Sequence, residues 1–114
     1  MLPKKYRLKI NNTFKASWKD KKEEYTPVFK LVYRFKNREN PPRIGFIVTS
    51  KAGGATKRNK IKRWLGEAVL ALIEKFPKGS ETLLIVNKNL GRTDYEEIGN
   101  LLDQVLSKIY ITGK

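Results

Sequence analysis

The chain has 114 residues, 39% of them hydrophobic and 32% charged, which suffices for one modest core and argues against disorder. It contains neither cysteine nor histidine, which excludes disulfides, Cys/His zinc sites and imidazole acid–base chemistry. Its 25 Lys and Arg residues against 11 Asp and Glu give a formal charge of +14. The excess positive charges repel one another unless a bound polyanion neutralises them, so nucleic acid is the leading partner class.

No internal repeat and no dividing linker interrupts the sequence, so we expect residues 1–114 to form a single domain. The basic residues 1–10 lack the apolar stretch of a signal peptide, and no window approaches the length of a membrane span. We therefore expect a cytoplasmic protein with no membrane partner. A membrane-surface protein is disfavoured, because no predicted helix pairs a basic face with an exposed apolar face.

The predicted elements begin with a short helix over residues 12–19, since Asn11 and Asn12 are favourable caps and Phe14 and Trp18 follow at four-residue spacing. A short additional strand is expected near residues 23–25. Residues 27–36 alternate as a strand does. One face, interpreted as core, carries Phe29, Leu31, Tyr33 and Phe35. The other face carries Val28, Lys30, Val32, Arg34 and Lys36.

Turn residues at 37–42 predict a hairpin between this strand and an apolar one over residues 43–50, interpreted as central. Gly53 and Gly54 precede a helix over residues 56–76, and a short buried strand follows at 81–87. A capping box of Thr93 and Glu96 opens a last helix that ends near residue 109. The predicted class is α+β, in the order α-β-β-(β)-α-β-α, with one sheet covered by helices on one face.

Positive charge is concentrated in one stretch of the chain. Between residues 40 and 66 there is no acidic residue, and the seven basic ones are Arg43, Lys51, Lys57, Arg58, Lys60, Lys62 and Arg63. Several lie in the first turns of a helix, where the positive end of the macrodipole repels them. Each cation there lowers the stability of the fold by a few tenths to about 1 kcal/mol. A bound anion explains this placement, and a solvated lysine-rich run is the alternative. At 100° per residue, the side of the helix opposite its apolar stripe is expected to carry Asn59, Lys62, Arg63 and Gly66.

The segments 43–51 and 58–63, with Gly53 and Ala55 between them, resemble the bacterial ribonuclease P protein family. That family carries a strand with Arg-x-Gly, a loop containing Lys and Gly, and a helix signature of Arg-Asn-Arg followed by Lys-Arg. The likeness extends to Arg7-Leu8, the aromatic pair Phe14 and Trp18, the apolar strand and the closing helix. The chain departs from the pattern at Lys60, which keeps the charge of an Arg without its bidentate fork, and at Gly66 and Asn87.

The resemblance implies an α/β sandwich with a left-handed crossover between parallel strands, and one RNA-binding domain over residues 1–114. It implies an accessory protein, one per catalytic RNA, that assists endonucleolytic removal of the 5′ leader from precursor tRNA. The RNA carries out hydrolysis with Mg²⁺, so the polypeptide is expected to hold no catalytic residue, metal or cofactor.

Two groups of residues are then expected to contact RNA. The catalytic RNA would bind at Arg43, Lys51, Lys57, Arg58, Asn59, Lys60, Lys62 and Arg63. A cleft between the first helix and the sheet would hold the leader, lined by Phe14, Trp18, Lys30, Val32, Arg34 and Lys36. For the two aromatic residues, a role as core anchors is equally open. A structural RNA-binding protein of ribosomal type is the competing hypothesis, and helix-start charge explains the carboxylates Asp94, Glu96 and Glu97.

Overall fold

A computed structural model describes residues 3–8, 21–35 and 40–109, which include a four-stranded sheet and two α-helices. The strands are β1 (Lys22–Tyr25), β2 (Lys30–Phe35), β3 (Arg43–Val48) and β4 (Ser80–Val86). The helices are α1 (Ala55–Ala71) and α2 (Arg92–Ile109), and 3-10 turns span Lys4–Tyr6, Ser50–Ala52 and Ile73–Lys75. These elements confirm the predicted α+β class. The predicted helix over residues 12–19, with Phe14 and Trp18, lies outside the described residues, as does Lys36.

The sheet has the order β1-β2-β4-β3, so β4 lies between the two strands that precede it. It pairs antiparallel with β2 and parallel with β3, and Leu83 opposes Val32 on one side and Gly45 on the other. The predicted hairpin of residues 27–36 with residues 43–50 is therefore wrong. Every residue of β4 is buried, so neither face of this strand is open to solvent. Such strands are typical of the centre of a sheet, with another strand hydrogen-bonded on each side.

β3, predicted as a central strand, is instead the outermost of the four. On its other edge, the backbone N–H of Leu8 donates a hydrogen bond of 3.1 Å to the carbonyl of Ile44. The chain passes from β3 to the parallel strand β4 through α1, as the resemblance implies, and the handedness of this crossover stays a prediction. α1 ends at Ala71 rather than at residue 76, because the chain tightens into a 3-10 turn that still buries Phe76.

Both faces of the sheet carry apolar side chains. The main core lies between the sheet and the two helices and includes Leu31, Ile44, Ile61, Leu65, Leu84, Ile98 and Leu102. The opposite face carries a smaller cluster, here called the second cluster, of Val32, Leu83 and Ile85, with Leu8 and Ile47 packed against it.

Two predicted side-chain positions around β2 are wrong. Val28 was expected on the face of Lys30, but it precedes the strand and is buried in the main core, since the alternation begins only at Lys30. Phe35 was interpreted as core but is 56% exposed. It is the last residue of β2 and pairs with Ser80, the first residue of β4. At this end of β2, burial no longer follows the alternation of side chains between the two faces.

The reciprocal cap of α2 is formed by Gly91 and Asp94 rather than by Thr93 and Glu96. The N–H of Gly91 donates to Oδ2 of Asp94 at 2.8 Å, and the carbonyl of Gly91 accepts from the N–H of Asp94 at 3.1 Å. Leu90 is buried in the core and sets the point at which the chain turns into the helix. The carboxylate three residues after this cap therefore takes the role predicted for Glu96.

Candidate nucleic-acid interface

The amino-terminal end of α1 is open to solvent and holds no acidic residue. Its N-cap is Gly54, which offers no side-chain hydrogen bond, and Ala55 and Thr56 are exposed beside it. Uncapped backbone N–H groups and the positive end of the helix dipole therefore face outward together. α2 is the opposite case, since Asp94 lies in its first turn.

The predicted RNA-contacting side chains lie in the 3-10 turn before α1 or in its first turns, except Arg43, which begins β3 and lies at the far end of that strand from the helix start. Those that are exposed are Lys51, Asn59, Lys60, Lys62 and Arg63. Those that are half-buried are Arg43, Lys57 and Arg58. Within the described ranges, no cation of this set forms an ion pair with a carboxylate. The positive charge at the start of α1 is thus not neutralised by the described part of the protein.

Two of the half-buried cations are held close to the helix start. The Nζ of Lys57 donates a hydrogen bond to Oδ1 of Asn89, in the segment between β4 and α2. The stem of Lys57 passes over Gly53, where an added Cβ would lie 2.8 Å from its Cδ. The Nε of Arg58 is buried and has no hydrogen-bond partner among the described atoms. Burying such a donor costs about 1–3 kcal/mol, which an anionic partner at this position would offset.

One expectation about the surface of α1 is wrong. Gly66 was expected to face outward with Asn59, but it is buried. The two residues point in nearly the same direction around the helix axis, but the surroundings of the helix change along that axis. Trp64 and Leu70 are 40% and 41% exposed on this basic helix. They lie about 120° apart around the helix and so do not form one apolar face.

The described part of the predicted leader cleft lies on the sheet face opposite α1 and α2. Val32 is buried in the second cluster, so it contributes to an apolar strip rather than standing free. The Nζ of Lys30 lies 3.4 Å from Oε1 of Glu23 and 5.3 Å from the ring centroid of Tyr25. Desolvation lowers the pKa of Lys30, but the hydrogen bond with Tyr25 and the charge of Glu23 outweigh it, so its pKa is raised.

Arg34, predicted to contact the leader, is paired within the sheet. Its Nε donates to Oε1 of Glu81 on β4 at 2.8 Å, and the Glu81 side chain is buried. Glu81, Leu83 and Ile85 also belong to this face, and the sequence pattern did not predict them there. The alternation of the apolar strand separates its two faces, but only the strand register shows which side chains lie beside Arg34 and Val32.

Of the carboxylates at the start of α2, Asp94 has the capping role that the sequence suggested for Glu96. Asp94 accepts the hydrogen bond of Gly91, and Glu96 and Glu97 are exposed. Among the described residues, no three side chains are grouped in a way that could hold a metal ion. No helix in the same ranges has the length and apolarity needed to cross a bilayer.

The mixed sheet, the connection through α1 and the uncompensated cations at its start define a small basic α+β protein with a surface suited to a polyanion. The family model of ribonuclease P matches residues 2–110, and the chain belongs to this family. It is 36% identical over 107 residues to the ribonuclease P protein component of Finegoldia magna, covering 94% of this chain and 93% of that protein. The component from Bacillus cereus strain B4264 is 32% identical over 108 residues, with the same coverage.

Solved structures agree with this assignment. The ribonuclease P protein from Thermotoga maritima is similar with a TM-score of 0.71 and 28% identity, covering 90% of this chain and 96% of that one. The protein from Staphylococcus aureus gives a TM-score of 0.66 at 27% identity, covering 95% and 92%. The family makes this chain a protein subunit of ribonuclease P, a ribonucleoprotein of tRNA processing, and thus decides against a ribosomal protein.

Proposed function

We propose that the start of α1 binds the catalytic RNA and that the polypeptide acts as an accessory subunit, one per RNA, in the cytoplasm. The observation that carries this proposal is the acid-free, uncapped helix end, whose cations form no ion pair with a carboxylate in residues 3–8, 21–35 and 40–109. A phosphate at the helix start would meet backbone N–H groups and the side chain of Arg58. Arg63 projects from another side of the helix and would contact a different phosphate. Mg²⁺ held by the RNA would supply the Lewis-acid chemistry of hydrolysis, so we assign no polypeptide residue to it.

We further propose that the 5′ leader of precursor tRNA lies along the sheet face of the second cluster. Val32, Leu83 and Ile85 are buried there and would support the floor of the cleft, and Lys30 borders them. The proposed aromatic residues Phe14 and Trp18 would stack unpaired bases without selecting their sequence, while Lys30 would contact the backbone. Arg34 and Lys36 complete the proposed cleft.

Reconstitution with a bacterial ribonuclease P RNA tests the proposal. We expect the full chain to stimulate cleavage of 5′-labelled precursor tRNA at low Mg²⁺. The double variant Arg58→Ala/Arg63→Ala should bind the RNA more weakly and lose this stimulation while its Tm stays close to that of the wild type. The control Lys75→Ala/Lys108→Ala removes the same charge from side chains that are paired with Asp103 and Glu24. Equal effects of the two double variants would show that only net charge matters.

The salt dependence of binding measures the size of the interface. If about six phosphates are neutralised, the logarithm of affinity should fall against the logarithm of salt concentration with a slope of about −4 to −5. A slope near zero contradicts an electrostatic interface. For the leader, Trp18→Leu should weaken binding of precursor tRNA more than binding of mature tRNA, and an equal loss for both would remove Trp18 from the cleft.

A further inference from the structure

An aromatic pair, of which Trp64 is exposed and Tyr95 is half-buried against the main core, lies where α1 packs against the start of α2, outside the residues assigned to the catalytic RNA and to the leader. The ring centroids of Trp64 on α1 and Tyr95 on α2 are 5.4 Å apart, with planes inclined by 49°. The Nζ of Lys60, one turn before Trp64, lies 5.5 Å from the ring centroid of Tyr95. Trp64 remains 40% exposed although its neighbour Leu65 is fully buried.

We propose that Trp64 and Tyr95, with Lys60 beside them, form a stacking site for one unpaired nucleobase of RNA bound along α1. This inference rests on the proposed function, because it requires RNA along this helix. Stacking of a base on an aromatic side chain contributes about 1–3 kcal/mol and tolerates any base, since every base has a π-face. Lys60 would place an ammonium group next to the phosphate of the stacked nucleotide.

The charge around the pair favours RNA over an apolar protein partner. From its start to Trp64, α1 holds no acidic residue, and its first acid is Glu67. Lys57 and Lys60 lie two turns and one turn before Trp64, on the side where that helix meets the segment leading into α2. The aromatic surface is therefore continuous with the cationic helix start, where phosphates are proposed to bind.

The surface of α2 beside the pair leaves room for a ligand. Gly99 follows Tyr95 by one helical turn and is exposed. A Cβ added at Gly99 would meet no atom within 4 Å, so no side chain screens this part of α2. The surface of α2 one turn beyond Tyr95 is therefore open to solvent.

Fluorescence of Trp64 tests the site directly. The chain has two tryptophans, so a Trp18→Phe background leaves Trp64 as the single indole. Decaadenylate RNA and an abasic ribose-phosphate decamer of equal charge are titrated into this full-length variant. We expect both to bind with the same salt dependence, but only decaadenylate to quench the emission of Trp64.

Affinity measurements distinguish stacking on the aromatic ring of Trp64 from a general effect of exposed apolar surface. In this background, Trp64→Leu should lower the affinity for decaadenylate by about 5- to 150-fold, the equivalent of one stacked base, without changing the affinity for the abasic decamer. Trp64→Phe retains a ring and should retain most of the affinity. The control Leu70→Ala removes apolar surface of nearly the same exposure, 41%, from the same helix and should leave both affinities unchanged. The Tm of each variant is compared with that of its parent, and an unchanged Tm shows that the fold is intact.

The possible failures are distinguishable. If both decamers bind but quench equally, or if Trp64→Leu binds decaadenylate as tightly as its parent, the stacking site is refuted and the proposed function stands. If neither decamer binds in a salt-dependent way and the chain fails to stimulate precursor cleavage, the proposed function itself falls. A change in emission caused by protein concentration alone, or by phosphatidylglycerol vesicles without any by RNA, would refute the stacking site in favour of a second copy or a lipid surface.

Discussion

Replacing Gly53 with alanine should destabilise the protein through the loop that precedes α1. Gly53 has φ of 131° and ψ of −170°, a region that is nearly reserved for glycine and costs other residues about 1–3 kcal/mol. The added Cβ would also lie 2.8 Å from Cδ and 3.2 Å from Cβ of Lys57. The Lys57 stem must then move and give up its exposed hydrogen bond to Asn89, which adds less than about 1 kcal/mol.

The free energy of unfolding of Gly53→Ala is measured by urea denaturation and its Tm by circular dichroism. For a domain of this size, each kcal/mol lowers the Tm by about 4 °C, so the total of about 1–4 kcal/mol should lower it by about 4–16 °C. The matched control is Gly54→Ala: Gly54 has φ of −73°, and its added Cβ would meet no atom within 4 Å. Its stability should stay within about 0.5 kcal/mol of the wild type, because a poorer N-cap offsets a stiffer unfolded chain. If both variants unfold like the wild type, Gly53 imposes no such constraint and the reasoning is refuted.

Three further variants test other contacts. Glu81→Gln removes the negative charge that accepts the hydrogen bond of Arg34 Nε, and urea denaturation should show a loss of about 1.5–3 kcal/mol; an unchanged midpoint would mean that this charge contributes nothing. Asp94→Ala removes the acceptor at the cap of α2 and should cost about 1 kcal/mol, whereas Glu97→Ala, its exposed control, should cost less. A hydrogen bond from a neighbouring tyrosine and nearby lysine charge hold the pKa of Glu23 below its usual value, so its contribution is present above the unfolded pKa and lost as pH falls through the folded one. The Tm of Glu23→Gln should therefore differ from that of the wild type at pH 7 and converge with it in acid, and a constant difference would contradict this.

Local periodicity was enough to predict most elements, because it depends only on which side chains are apolar. Ile61 and Leu65 in α1, and Ile98 and Leu102 in α2, are buried as predicted. The neighbours of each strand could not be obtained in this way. Turn residues report how the chain bends locally, whereas the partner of a strand is decided by burial across the whole sheet. The uninterrupted apolar run of β4 was the available signal, since such runs are typical of central strands.

The cations of the candidate site were predictable from their position at a helix start, but their partners were not. Arg34 pairs with Glu81, which is 47 residues away in sequence and becomes its neighbour only through the register of β2 and β4. The contact of Trp64 with Tyr95 likewise depends on how α1 and α2 pack. Sequence position identifies which charges gather at a helix end, and tertiary structure decides which of them a carboxylate neutralises.

The late position of β4 in the chain also constrains how the protein is made. While it emerges from the ribosome, β2 and β3 have no common hydrogen-bonding neighbour until residues 80–86 arrive between them. Until then the apolar strands and the cationic α1 of the nascent chain cannot pack into the completed sheet. Pairing between strands that are distant in sequence also slows folding. Truncation before Ser80 should leave an unstructured, aggregation-prone polypeptide rather than a smaller stable sheet.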